Sequence, residues 1–432
     1  MNVRQYALEL LSRWEAEARY INLSLAHLPS GITEAERGLL TALLYGTVER
    51  KLTLDYYISA LAGRVDLDPT TRNILRLGVY QILYMTATPP YAAVNETVKL
   101  ARNKGEAGFV NAILRTALRA PEKLALPARE KNERRFLSLR YSVPQGTVRE
   151  LQAVLGEQTE AFLRHSEETP PTTLFVNVLR IGREAYLERL QAAGIAAEAT
   201  RHAPYGVRLL APCPPSRLPG YREGDFFVQD EASQLALHAL SPLPGSRLVD
   251  CCAAPGGKSF AAAIYMQNKG EVHSFDLHDS KLPLIVDGAA RLGLSSIRVA
   301  RHDSTRPQVP LEGSADYVIC DVPCSGLGVL AKKPDLRYKS TETWEQLPEL
   351  QYRILCAAAA YLRVGGALLY ATCTILPREN QGVTDAFLAA HDGFEAVPFQ
   401  VGGRDAPSGC LTLLPHRDGM DGFFMVKLRR VR

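Results

Sequence analysis

RLVDCCAAPGGKSFAAAIYMQNKGEVHSFD, residues 247–276, decides the fold. Arg247 to Asp250 is a short apolar run closed by a carboxylate, the pattern of a buried strand. Cys252 to Lys258, CAAPGGK, then packs small residues into a turn that opens a helix, where backbone amides can approach a ligand closely. Val272 to Asp276 is a second apolar run and again ends on an acid. Strand, glycine turn, helix and strand make one βαβ unit of a parallel sheet. Asp276 falls about twenty residues beyond the glycines, where a carboxylate accepts hydrogen bonds from a nucleoside ribose. That pairing points to an adenosine-containing cofactor.

Two other nucleotide readings fail on spacing. Gly257-Lys258-Ser259 resembles the end of a phosphate-binding loop, with Tyr317 to Asp321 as its magnesium strand, but the glycine required five places before Gly257 is Cys252. The dinucleotide fingerprint G-x-G-x-x-G is absent as well.

Outward from this unit, apolar runs alternate with helical segments from about Gln229 onward, the signature of a parallel sheet covered on both faces. Five strands are expected: Arg247 to Asp250, Val272 to Asp276, Ile297 to Asp303, Tyr317 to Asp321 and Ala367 to Thr372. Ligands of such sheets bind beyond the carboxyl ends of the strands. Those ends carry Asp250 with Cys252, Asp276, Asp303, Asp321 with Cys324, and Cys373.

The two cysteines after the fourth and fifth strands, in DVPC (321–324) and TCT (372–374), carry the sharpest chemical signal. If those strands are neighbours, their axes lie about 4.8 Å apart and both thiols reach one substrate base. The bland alternative is two ordinary buried cysteines, the reading given to Cys320 and Cys356. Carbon 5 of cytosine is a poor nucleophile, and thiolate addition at carbon 6 makes it enamine-like and able to take a methyl from a sulfonium. Such addition needs a proton or hydrogen bond at the ring nitrogen, which a carboxyl such as Asp321 can supply, and a second group to remove the carbon 5 proton. A thiol of pKa about 8.5 needs roughly 2 kcal/mol of help to be half ionised at neutral pH. Spacing alone leaves open which cysteine attacks.

Upstream, residues 1–128 read as helices, with Ala7, Leu10, Leu11, Trp14 and Ala18 on one face, a Thr33/Glu36 capping box, an Asp68-Pro69 start and a break at Pro89-Pro90. Further helices are expected over Ala93 to Arg102 and, after Gly105 and Gly108, over Phe109 to Arg119. Arg102, Lys104, Arg115 and Arg119 form either a basic surface or a solvated helix face. The charged stretch Arg129 to Arg140 reads as a junction. Leu174 to Leu179 (strand), Arg183 to Ala193 (helix) and Tyr205 to Leu210 (strand) suggest a small α+β unit within 129–228, ahead of the α/β domain at 229–432.

The 432 residues exceed what one core usually serves, and the formal charge of +4 is compatible with a polyanionic partner without requiring one. MNVRQYALELLSRWEAEARY alternates apolar and charged residues, unlike a signal peptide, and no run approaches a membrane span, so a cytoplasmic protein without membrane contact is expected. Eight cysteines without a C-x-x-C pair give no zinc site and are expected to remain thiols.

QDEASQL (229–235), DCCAAPGGK (250–258), DVPCSGLG (321–328), ATCT (371–374) and DGFF (421–424) together resemble bacterial RNA cytosine-5 methyltransferases of the RsmB (Sun/Fmu) type, over nearly the whole chain. YGTVERK (45–51), ILRLGVYQILY (74–84) and GFVNAILR (108–115) resemble the NusB-like RNA-binding domain of that family. The resemblance implies a Rossmann-like S-adenosylmethionine-dependent methyltransferase domain of α/β class, preceded by an all-α NusB-like domain and a small α+β linker domain. It assigns Cys252, Ala253, Ala254, Pro255, Gly256, Gly257, Lys258, Asp276, Asp303 and Asp321 to the S-adenosylmethionine site. It makes Cys373 the nucleophile, gives Cys324 the product-release step and turns Asp321 toward the base as well. The implied substrate is 16S ribosomal RNA before the small subunit is complete, with no obligate protein partner evident. Lys281, Ala331-Lys332 and Phe175 depart from the family's usual arginines, which bears on RNA contact and not on methyl transfer. Three rivals stand beside this reading. They are a transfer RNA enzyme of the same chemistry, a DNA cytosine methyltransferase with the Pro-Cys thiol as nucleophile, and a non-catalytic RNA-binding assembly factor, against which both intact cysteines argue.

Overall fold

The computed structural model describes residues 2–17, 21, 25, 28, 31–63 and 66–432, so Ala18 of the first apolar stripe lies outside the described residues. The chain forms two compact units, one of Met1–Glu167 with Leu330–Lys339 and one of Glu168–Val329 with Ser340–Arg432.

The first unit is helical. Val3–Glu17, Glu34–Glu49, Lys51–Ala62, Pro69–Tyr84, Pro90–Val98 and Lys104–Arg119 surround a core that includes Ala7, Leu11, Leu40, Leu44, Ile74, Leu77 and Leu114. Two of their starts follow from local chemistry. The Thr33 hydroxyl accepts from the Glu36 amide while the Glu36 carboxylate accepts from the Thr33 amide, and Asp68 caps Thr70 and Thr71 ahead of Pro69. The last of these helices begins five residues earlier than the glycines suggest. The Asn103 side chain accepts from the Glu106 amide, and this cap draws Gly105 and Gly108 into the helix. The helix expected to run to Arg102 ends at Val98. Arg102 turns back to pair with Asp68 at 2.8 Å and Glu106 at 2.7 Å, while Arg115 bonds Asn111. The charged stretch after Arg129 is a short turn and a helix, Glu133–Arg140, followed by Gln145–Leu155 and Thr159–His165 within the same unit.

The second unit opens with an antiparallel sheet of β1 (Thr173–Val176), β2 (Ala197–Ala199), β3 (Gly206–Leu209) and β4 (Phe226–Val228), in the order β2-β3-β1-β4. The helix Arg183–Ala192 covers it through Tyr186 and Leu190. Phe175, on β1, is fully buried and stacks on Phe227 with ring centroids 4.9 Å apart, so it serves the core.

The main sheet follows, built from β5 (Arg247–Asp250), β6 (Glu271–Asp276), β7 (Ile297–Arg301), β8 (Ala315–Asp321) and β9 (Leu362–Thr372). The edge strands come later: β10 (Phe394–Ala396), then, after the separate hairpin β11 (Phe399–Val401) and β12 (Arg404–Ala406), β13 (Cys410–Leu413) and β14 (Phe423–Arg430). Its order is β10-β14-β9-β8-β5-β6-β7, with β13 also on β14. The five strands β9-β8-β5-β6-β7 are parallel, and β14 joins β9 antiparallel. β7 stops at Arg301, two residues short of its expected end, which leaves Asp303 in the loop beyond. Period-2 alternation covers both faces. Leu248, Ile319, Leu369 and Met425 face the helices Glu231–Leu240 and Gly257–Tyr265, whereas Val249, Val318, Leu368 and Val426 face Leu347–Tyr361 and Gln381–Ala390. Each such side chain contributes roughly 1.5–3 kcal/mol of burial. Because β6 and β8 flank β5, the chain reverses direction across the sheet there, and a crevice opens at the carboxyl ends.

Candidate active site

A cleft of about 260 Å³ occupies that crevice. Cys252 and Ala254 from the β5 turn line it, with Asp276 from β6, Asp303 from the β7 loop and Asp321 from β8. The other residues of the glycine turn, Ala253, Pro255, Gly256, Gly257 and Lys258, do not line it. Gly256 has φ +112°, and a Cβ there would lie 2.3 Å from the Phe260 ring, so this turn admits no side chain. The turn then delivers Gly257 as the first residue of the helix Gly257–Tyr265.

Asp276 is nearly buried and accepts from the Ala254 amide at 3.3 Å and the His278 amide at 3.0 Å, so both oxygens are oriented while each keeps a free lone pair. Asp303 accepts from the Thr305 hydroxyl and amide, which hold its carboxyl below the usual range. Burial pushes the Cys252 thiol far up, leaving it an uncharged wall residue. Beneath the cleft, Asp250 accepts from Ser259, which in turn accepts from Ser274, both at 2.7 Å. Burial lifts the Asp250 carboxyl to about 7 against the pull of the Ser259 hydrogen bond.

Asp321 ends β8 and pairs with the Lys258 ammonium at 2.6 Å, and that ammonium lies 5.2 Å over the Phe423 ring. Burial pulls the Lys258 pKa down, but the charge and hydrogen bond of Asp321 outweigh it and the net shift is upward. β8 and β9 are parallel neighbours, with Asp321 in register with Ala371. The loops beyond them bring the Cys324 and Cys373 sulfurs to 3.2 Å. All eight cysteines are thiols, and the hydrogen bond shared with Cys373, together with burial, pushes Cys324 well above its ordinary value. Cys320 points into the opposite core.

His278, Lys281, His302, Ser304 and Thr305 also line the cleft, as do Leu350 and Ile354. The first five follow strand ends and are accessible to the same positional rule that found the acids. Leu350 and Ile354 stand on a helix between β8 and β9 and give no local signal. Glu379, Asn380 and Gln351, buried behind the cysteine loops, are further polar residues that no strand-end rule finds.

Three family models match the chain: NusB family over residues 1–119, the ferredoxin-like domain of Methyltr_RsmF/B-like proteins over 143–216, and 16S rRNA methyltransferase RsmB/F over 237–429. The chain is 36% identical to the probable ribosomal RNA small subunit methyltransferase B of Bacillus subtilis (strain 168), covering 99% of each. With the ribosomal RNA small subunit methyltransferase B of Serratia proteamaculans (strain 568) it shares 33%, covering 99% of this chain and 98% of the other. Among solved structures, PH0851 superposes with a TM-score of 0.81 at 26% identity, covering 93% of this chain and 92% of that one. NSun6 from Pyrococcus horikoshii with SFG gives 0.61 at 20% identity, over 67% and 98%, a likeness of fold. With two curated relatives matched end to end and each part of the chain matched by its own model, the chain belongs to the 16S rRNA methyltransferase RsmB/F family.

Proposed function

We propose that this methyltransferase moves a methyl group from S-adenosylmethionine to carbon 5 of a cytosine in 16S ribosomal RNA through a covalent cysteine adduct. It would work in the cytoplasm on RNA not yet assembled into a complete subunit. The observation that carries the reading is the pair of sulfurs 3.2 Å apart at the ends of neighbouring parallel strands, beside a cleft edged by acids. The three functional parts are taken as 1–128 for RNA binding, 129–228 as linker and 229–432 for chemistry.

The cofactor fits the donors present. The Asp276 carboxylate lines the cleft with both oxygens oriented by backbone amides, which suits ribose hydroxyls. Cys252 to Lys258, Asp276, Asp303 and Asp321 would hold it, and when bound it supplies an electrophilic sulfonium methyl. In the chain's own part, Cys373 forms a carbon–sulfur bond at carbon 6 while the ring nitrogen takes a proton or hydrogen bond from the Asp321–Lys258 pair. After methylation, the Cys324 thiolate takes the proton from carbon 5, the carbon–sulfur bond breaks, Cys373 leaves as a thiolate with its electron pair, and the ring nitrogen returns its proton to the Asp321–Lys258 pair.

The test is transfer of labelled methyl groups to unmodified 16S RNA, with the product mapped. 5-Methylcytosine is expected. Cys373→Ala should form no covalent bond to RNA, and Cys324→Ala should stall as a methylated adduct that survives denaturing electrophoresis and collapses with ribonuclease. A band from Cys373→Ala and none from Cys324→Ala would exchange the roles. Transfer only to transfer RNA would replace the substrate, and no transfer at all would favour an assembly factor.

A further inference from the structure

Glu379 and Asn380 are adjacent, fully buried, and unused by the chemistry above. One Glu379 carboxylate oxygen accepts from the Ser325 amide at 2.9 Å and from the Gln351 side-chain amide at 2.9 Å. The same Gln351 nitrogen donates to the Pro323 carbonyl at 3.0 Å. The peptide groups on both sides of Cys324 are therefore held. Asn380 braces the residues on either side of the other thiol: its oxygen accepts from the Thr372 hydroxyl at 2.6 Å and its amide donates to the Thr374 carbonyl at 3.1 Å. Ser325 and Thr374 join the two loops hydroxyl to hydroxyl at 2.6 Å.

We propose that Glu379 and Asn380 are separate positioning residues, Glu379 for Cys324 and Asn380 for Cys373, that set the spacing of the two thiols from one turn of chain. This rests on the two-thiol reading given above. The energetics support a purpose beyond stability. The second Glu379 oxygen is buried with no hydrogen-bond partner among the described residues, and a buried carboxylate solvated only by neutral donors is costly to the fold.

The two residues make opposite predictions in the adduct assay, run on the full chain with S-adenosylmethionine and unmodified 16S RNA. Glu379→Ala leaves Cys373 held and frees Cys324, so it should accumulate the covalent band as Cys324→Ala does, with release slowed about 10²-fold by misplacement. Asn380→Ala should resemble Cys373→Ala and form little band. Both should bind S-adenosylmethionine like the parent in calorimetry, which reports that they fold. Glu379→Gln keeps an acceptor for both donors and should bring the band back down. If Glu379→Ala does not fold, Gln351→Ala, which frees the Pro323 carbonyl, decides with the same expected band. A band from Cys324→Ala but none from folded Glu379→Ala, or equal bands from Glu379→Ala and Asn380→Ala, overturns the proposal alone. No band from Cys324→Ala sinks the covalent reading and this proposal with it.

Discussion

Residues that carry charge in this cleft do so at different depths, and depth decides their behaviour. Asp276 and Asp303 have donors around them, while Asp250 lies fully buried with one oxygen lacking a hydrogen-bond partner among the described residues. Its carboxyl rises from an ordinary 3.8 to about 7 on folding. Between those values the folded chain holds a proton that the unfolded chain has lost, so this group's contribution to stability is present at low pH and is lost as pH rises toward 7. Asp250→Asn removes the slope. Urea unfolding of parent and variant between about pH 4 and pH 7 should show the variant gaining up to about 1.4 kcal/mol per pH unit relative to the parent. A difference independent of pH would mean that Asp250 is ionised in the fold throughout. The thiols teach the same lesson about partners: Cys320 and Cys324 are four residues apart, yet one is core and the other meets Cys373.

Elements meet where glycine allows it. The DVPCSGLG and DGFF segments cross at Gly328 and Gly422: the Gly422 amide donates to the Gly328 carbonyl at 2.9 Å, and the Gly328 amide donates to the Cys373 carbonyl at 2.9 Å. A Cβ on Gly328 would lie 2.0 Å from the Gly422 carbonyl oxygen, against backbone that cannot rotate away. Gly328→Ala should therefore cost about 1–3 kcal/mol or more through overpacking. Gly108 is the counterexample: it sits inside the helix Lys104–Arg119, and a Cβ there meets nothing within 4 Å. Gly108→Ala should stabilise by roughly 0.5–1 kcal/mol from helix propensity. Thermal unfolding of the two variants checks both signs, and destabilisation by Gly108→Ala would contradict the helix start at Asn103.

At the scale of the whole molecule, the chain leaves the second unit at Leu330, six residues after Cys324, and returns at Ser340. Within the first unit the Arg337 guanidinium is fully buried and donates to the Tyr141 carbonyl at 3.0 Å and the Ser166 carbonyl at 2.6 Å. The Tyr338 hydroxyl donates to the Val48 carbonyl at 2.7 Å. A chain beginning at Glu168 removes every one of these acceptors, which strips the buried guanidinium of the carbonyls that offset its desolvation. Limited trypsin digestion should then cut at Lys332, Arg337 or Lys339 far faster than in the full chain. Equal rates would show that the segment holds its conformation without residues 1–167.

Local pattern determined much of this protein. The strand ends and their acids, the glycine turn, the Thr33 and Asp68 caps and the family were legible because period, capping and short motifs act between near neighbours in sequence. Two limits of that information are visible in particular residues. Asn103 overrode a glycine signal because a side-chain cap was available, and β7 ended before Asp303 because strand length is set by pairing with β6. The 3.2 Å meeting of Cys324 with Cys373, the pairing of Lys258 with Asp321 and the support of both cysteine loops by Gln351, Glu379 and Asn380 belong to tertiary structure alone. Apart from Asn380, which reaches Thr372 and Thr374 within the same turn of chain, those partners come from segments tens of residues apart, and only the order β9-β8-β5 and the packing of the helix Leu347–Tyr361 bring them within hydrogen-bond range.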